Sequence, residues 1–197
     1  MKKIVFLGDS VTKGVGYGGV ADVDTFARKV GLSCGYLAEN IINAGVGSDT
    51  SAGALARLQN DVISKNPDVC VLMLGHNDYE NGVSVATYIA NMAQIITQLL
   101  NANIQPVILN CVLMRGTNQY IDGFRTYIEA LENLAKTFDI GLVDILREYA
   151  YGYLYLYQAG WTFQGLYVDT VHQTIGGHQF LANICLRDKN KGFFNVE

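Results

Sequence analysis

Three short stretches of this chain combine residue types that do nucleophilic chemistry. Gly8-Asp9-Ser10 follows the apolar run Lys3–Leu7 directly. Gly75-His76-Asn77-Asp78 follows Asp68–Leu74, which is continuously apolar after Asp68. Asp169-Thr170-Val171-His172 lies near the end of the chain. A serine hydroxyl is a weak nucleophile until an adjacent base takes its proton, and a carboxylate orients that base and stabilises the cation that forms. Ser10, His172 and Asp169 supply the three parts, and an Asp and a His three residues apart can face one site from a single turn. Asn77 adds a side-chain amide able to donate to a developing oxyanion.

These stretches need elements to hold them, and strands alternate with helices along the sequence. Strand character falls on Lys3–Leu7, Ile41-Ile42, Asp68–Leu74, Gln105–Leu113 and Ile140–Val143. Helical spacing covers Thr25–Leu37, interrupted by Gly31 and Gly35. It returns after the capping run Asp49-Thr50-Ser51 as far as Ser64, where Leu55, Leu58, Val62 and Ile63 recur three and four apart. Further helices are expected over Ser84–Ala102, Gln119–Phe138 and Ile175–Cys185. This alternation implies an α/β fold, a three-layer α/β/α sandwich around a five-stranded parallel sheet, as in flavodoxin-like folds. No repeat, low-complexity tract or linker divides residues 1–197, so a single domain is expected. Ligands of such sheets lie beyond the carboxyl ends of the strands, where the first two stretches fall; the third lies in a loop near the end of the chain.

Four blocks then resemble the GDSL/SGNH hydrolase family over essentially the whole chain. They are Gly8-Asp9-Ser10; Asn43-Ala44-Gly45-Val46-Gly47-Ser48-Asp49-Thr50 with Leu55-Ala56-Arg57-Leu58 behind it; Gly75-His76-Asn77-Asp78; and Asp169–His172 followed by Gly177-His178. The resemblance implies an SGNH-hydrolase fold and a serine esterase. Ser10 would be the nucleophile, His172 the general base and Asp169 its orienting partner. The oxyanion hole would use the Ser10 N–H, Asn77 Nδ2 and an N–H of the second block. The family usually places glycine where this chain has Ser48. Glycine takes positive φ at low cost and serine does not. Either Ser48 keeps a negative φ and donates, or the loop shifts and Gly47 donates; Ser48 is the preferred donor. Thr170 stands where glycine is common.

Other residues read more plainly. Asp9 is expected to bond its own loop's amides, Asp78 to brace its loop, and His178 to cap or pack. His76, beside Asn77, is either a substrate contact or a bystander. Gly14, Gly16 and Gly19 match G-x-G-x-x-G, but they lie too far past the first strand and open no helix, so a flexible loop is expected. No histidine pair has metalloprotease spacing, and neither a metal nor another cofactor is needed. The stretch Tyr149–Tyr167 holds Tyr149, Tyr151, Tyr153, Tyr155, Tyr157, Trp161, Phe163 and Tyr167. It reads either as packing, in the core or between subunits, or as an aromatic wall that stacks on sugars. On the second reading Trp161 and Tyr167 join His76 as substrate-binding residues.

Composition excludes several other classes. With 16% charged and 11% aromatic residues the chain is not disordered, and its net charge of −4 disfavours nucleic acid. No apolar stretch approaches a membrane span. The run before Gly8 is too short for a signal peptide. Cys34, Cys70, Cys111 and Cys185 show no paired spacing and read as free thiols in a reducing, cytoplasmic compartment. The oligomeric state stays open. The substrate is expected to be a short-chain ester, an acetyl ester of a carbohydrate or similar polar alcohol, because only Asp78–Val83 separates the third block from the next helix and leaves little material for a lid. Two alternatives stand beside it. One is a thioesterase or lysophospholipase for longer acyl chains. The other is a non-catalytic carbohydrate-binding domain, which a missing triad residue would favour.

Overall fold

The computed structural model describes residues 2–15, 19–110, 118–148, 165–169 and 171–195. Five parallel strands form one sheet: β1 Ile4–Gly8, β2 Ile41–Gly45, β3 Val69–Met73, β4 Gln105–Leu109 and β5 Gly141–Val143. Their spatial order is β2-β1-β3-β4-β5. The helices that matter here are α1 Ser10–Lys13, α2 Phe26–Ser33, α3 Ser51–Asp61, α4 His76–Glu80, α5 Val85–Asn101, α6 Asn118–Phe138 and α7 Ile175–Cys185.

Successive strand residues point to opposite faces, and the core divides accordingly. Ile4, Phe6, Val69, Val71, Met73, Val107 and Leu109 pack with Phe26, Val30, Leu181 and Ala182 of α2 and α7. Val5, Leu7, Cys70, Leu72 and Ile108 pack with α3, α5 and α6 through Leu58, Met92, Ile95 and Leu131. The central strands are buried on both faces, which is why β1 and β3 read as unbroken apolar runs. This is the α/β architecture expected, with helices on both sides of a five-stranded parallel sheet.

Several boundaries differ from expectation for local reasons. The helix expected over Thr25–Leu37 is shorter, because Thr25 is its cap, accepting from the Arg28 N–H, and Gly35 turns the chain at φ +85°. The helix after Thr50 stops at Asp61, and Ile63–Lys65 is a separate 3₁₀ turn. The fourth strand ends at Leu109 rather than Leu113. Asn110 still donates its N–H to the Val143 carbonyl at 3.2 Å, but its side chain turns to Asp144 Oδ1 and to the Leu146 N–H. Residues 111–113, Cys111 among them, lie outside the described residues, as do Gly16 and residues 149–164 of the aromatic stretch. Cys34, Cys70 and Cys185 are free thiols. Among the described residues no helix is long and apolar enough to cross a membrane.

The sheet reverses its winding direction between β1 and β3. Loops leaving two such strands diverge and open a crevice beyond their carboxyl ends. Ser10 follows β1 and Asn77 follows β3.

Candidate active site

The turn after β1 leaves no room for side chains at Gly8. A Cβ there would lie 2.1 Å from Thr12 Oγ1 and 2.8 Å from the Met73 carbonyl oxygen. Asp9 caps the short helix that follows, its Oδ1 accepting the Val11 N–H at 2.9 Å. Ser10 is therefore the first helical residue, half-buried at the strand edge. Gly14 ends this turn at φ +84°. Burial pushes the Asp9 carboxyl up to about 6.

His172 comes from the other end of the chain, on a loop folded onto itself. Tyr167 and Gln173 form an antiparallel bridge, and the Val168 N–H donates to the His172 carbonyl at 2.9 Å. Thr174 caps α7 directly afterwards. The His172 ring spans two partners: Nε2 lies 3.0 Å from Ser10 Oγ, and Nδ1 lies 2.7 Å from Asp169 Oδ2. Asp169 Oδ1 accepts the Val171 and His172 N–H groups, both at 2.8 Å. Desolvation alone would raise the Asp169 carboxyl, but the hydrogen bonds from His172 and Val171 outweigh it and hold the group below its ordinary value. An acceptor-only carboxylate on Nδ1 leaves Nε2 free to accept the serine proton.

Asn77 lies in the first turn of α4, half-buried. Its Nδ2 donates to the Asp49 carbonyl at 2.9 Å and makes a long 3.5 Å contact with Asp9 Oδ2. One amide hydrogen is thus fixed, and the other is only weakly engaged. Asp78 beside it is fully buried and braces α4 against α3, accepting the Ser51 N–H at 2.9 Å and the Ser51 hydroxyl. Asn91 Nδ2 holds the same hydroxyl from α5 at 3.0 Å.

The second block resolves differently from either expectation. Val46 donates its N–H to the Gly8 carbonyl at 3.0 Å, and the Asp49 N–H closes a turn on the Val46 carbonyl at 3.3 Å. Ser48 occupies the third position of that turn with φ +59°. It does not keep a negative φ, because bonds at both ends of the turn fix the path. A serine stands in the backbone shape that glycine adopts most readily.

The remaining candidates separate clearly. His76 is buried against the edge of Phe124, and burial lowers its imidazole below the usual range. His178 caps α2, its Nδ1 accepting the Phe26 N–H at 3.2 Å while its ring stacks on Phe26. Burial pushes it down to about 4. Tyr167 is a correction. At 3% exposed it belongs to the core with Leu181 and Phe194 and has no open face for a sugar. Trp161 lies outside the described residues. Arg57, part of the Leu55-Ala56-Arg57-Leu58 run, contacts Asp49, Asp61 and the Gly8 carbonyl. Its signal was an arginine four residues before an aspartate on an otherwise small and apolar helix face.

A serine opening the helix after β1, an asparagine after β3 and a late Asp–His loop, gathered at the switch point of a parallel sheet, define an esterase of the GDSL type. Residues 6–180 match the GDSL-like lipase/acylhydrolase family, and the chain belongs to it as a carboxylic ester hydrolase. The chain is 26% identical to an acetylxylan esterase of Geobacillus stearothermophilus, over 95% of this chain and 93% of that one. Among solved structures, a catalytic mutant of an acetylxylan esterase from that organism matches with TM-score 0.79 at 21% identity, over 100% of this chain and 97% of that one. A lipase/acylhydrolase from Enterococcus faecalis matches with TM-score 0.77 at 23% identity, over 98% and 96%. These likenesses share the fold described above.

Proposed function

We propose that this esterase removes short acyl groups, acetyl above all, from a carbohydrate or similar polar alcohol, with Ser10, His172 and Asp169 as its catalytic residues. The observation that carries the reading is the unbroken chain from Ser10 Oγ to His172 Nε2 at 3.0 Å and from Nδ1 to Asp169 Oδ2 at 2.7 Å. The similarity to acetylxylan esterases over almost the whole chain supports the choice of substrate.

Ser10 Oγ attacks the ester carbonyl and its proton passes to His172 Nε2. Asp169 stabilises the imidazolium across Nδ1. The carbonyl oxygen becomes an oxyanion, which receives the Ser10 N–H, the weakly engaged hydrogen of Asn77 Nδ2 and the Ser48 N–H. Ser48 is preferred to Gly47 because its positive φ reproduces the shape of a glycine donor without shifting the loop. Collapse breaks the ester C–O bond, and the alcohol leaves with the proton from His172. Water then attacks the acyl-enzyme, gives a proton to His172, and the second collapse returns it to Ser10 as the acid departs. The steps use the side chains of Ser10, His172, Asp169 and Asn77, the Ser10 and Ser48 amides, and one water.

The test is a series of p-nitrophenyl esters from acetyl to dodecanoyl, run beside acetylated xylo-oligosaccharides. A maximum of kcat/KM at acetyl, release of acetate from the oligosaccharides, and loss on the order of 10³-fold or more in Ser10→Ala are expected. A maximum at long chains would overturn the acetyl assignment in favour of a thioesterase or lysophospholipase. Unchanged hydrolysis by Ser10→Ala would overturn the serine mechanism.

A further inference from the structure

One guanidinium joins three chain segments around Ser10. Arg57 projects from α3 with its side chain 17% exposed. Its Nε and Nη2 both approach Asp49 Oδ2, at 2.8 and 2.7 Å. Nη1 reaches Asp61 Oδ2 at 2.9 Å, and Nη2 also donates to the Gly8 carbonyl at 3.2 Å. Every nitrogen of the fork is occupied. Lysine, a point charge with its three donors on one nitrogen, has no equivalent fork.

The groups that Arg57 holds are those on which the proposed oxyanion donors rest. The Asp49 carbonyl fixes Asn77 Nδ2. The Gly8 carbonyl, two residues before Ser10, also receives the Val46 N–H that opens the turn carrying Ser48. Asp49 itself is a nearly buried carboxylate, 8% exposed at its side chain. Without a cation its charge would stand uncompensated beside the point where a substrate oxygen turns negative, in surroundings that screen poorly. Arg57 thus anchors and neutralises Asp49, whose carbonyl sets the position of Asn77 Nδ2.

We propose that Arg57 is a positioning residue for the oxyanion hole, acting through Asp49 on Asn77. This rests on the ester-hydrolysis reading above. A residue that only stabilises the fold would lower activity whether or not Asn77 were present. A residue acting through Asn77 loses its effect once Asn77 is gone.

The experiment is a double-mutant cycle on the full chain, reading kcat and KM for p-nitrophenyl acetate. Arg57→Gln is expected to lower kcat about 30-fold with KM changed less than about 3-fold, a transition-state effect. Arg57→Lys keeps a cation for Asp49 and should recover part of that loss. In the Asn77→Ala background Arg57→Gln should cost less than about 3-fold more, a coupling typical of groups in one network. If Arg57→Gln does not fold, Arg57→Lys carries the same cycle. The full loss retained beside Asn77→Ala, or an effect on KM alone, overturns the Arg57 proposal and leaves the ester mechanism standing. An Asn77→Ala enzyme with undiminished kcat overturns the oxyanion assignment, and this proposal falls with it.

Discussion

Two buried titratable groups in this protein push its stability in opposite directions over the same pH range, and separating them tests how the site is built. Asp9 is 3% exposed, and desolvation raises its carboxyl from 3.8 to about 6. Between those values the folded protein keeps a proton that the unfolded chain has lost. The Asp9 contribution is therefore fully present below about pH 4 and disappears as pH rises through 6. About two units at 1.36 kcal/mol each make it about 3 kcal/mol. His178 is 0% exposed and pushed down from 6.5 to about 4, again by burial first. Here the unfolded chain takes up a proton that the folded one refuses. Its contribution is present above about 6.5 and is lost as pH falls toward 4, again by about 3 kcal/mol. In the wild type the two slopes cancel. In Asp9→Asn, whose amide oxygen can still accept the Val11 N–H, the Asp9 slope is gone and the His178 slope remains, with that of His76 in the same direction. Urea unfolding of wild type and variant at intervals from pH 4 to 7 measures this directly, since all other groups drop out of the difference. The stability of wild type relative to Asp9→Asn should fall by about 3 kcal/mol from pH 4 to 6.5. His178→Asn, whose Oδ1 can replace Nδ1 as the Phe26 acceptor, should give the opposite slope. Curves for Asp9→Asn and wild type that run parallel across this range would refute the argument, because Asp9 would then titrate alike in both states.

Two further predictions concern the loops that carry the site. Ser48→Gly removes the cost of a left-handed serine, on the order of 1–2 kcal/mol, against about 0.5–1 kcal/mol of added chain entropy. Its net effect should be a rise in Tm of one or two degrees by calorimetry with kcat preserved, since the N–H remains; a fall in Tm would contradict the strain assigned to Ser48. Asp169→Asn places an amide where His172 Nδ1 now donates to a carboxylate and favours the wrong tautomer. Hydrolysis of p-nitrophenyl acetate should fall on the order of 10³–10⁴-fold, and a loss below about tenfold would show that Asp169 does not orient the base.

The chemistry at the strand ends was legible because each catalytic type sits directly after an apolar run or in a short polar loop. Ser10 after Lys3–Leu7 and Asn77 after Asp68–Leu74 needed only the rule that parallel sheets present ligands at their carboxyl edge. The spacing of Asp169 and His172 within one turn was equally readable. Long-range supports were not. Arg57 is a helical residue like many others until the fold brings Asp49 and Gly8 to it, and no periodicity encodes that meeting. Ser51, Asp78 and Asn91 meet from three helices. Tyr167 misled because aromatic content near a site says nothing of which way a ring points; the bridge to Gln173 turns this one into the core. Ser48 misled for another reason. Propensity predicted a negative φ, and tertiary bonds at Val46 and Asp49 overrode it.

The crevice that is to stabilise a negative oxygen is, unexpectedly for that task, framed by acids: Asp9, Asp49 and Asp78 are all nearly or fully buried. Each is there to hold a donor in place, since a carboxylate accepts from several directions and fixes an N–H more firmly than a neutral oxygen does. Asp9 holds the Val11 amide, Asp78 the Ser51 amide and hydroxyl, and Asp49 is anchored so that its carbonyl can hold Asn77. The cost is negative charge near the reacting centre, and the protein meets it differently at each position. Asp78 has the Ser51 N–H and O–H; Asp49 has Arg57; Asp9 has little besides one amide and a raised affinity for a proton. Arg57 lies against Asp49, and the charge on Asp49 pushes the Asp9 carboxyl upward. Positioning and charge balance at this site are therefore one device, with Arg57 at its centre, and a substitution there should disturb both together.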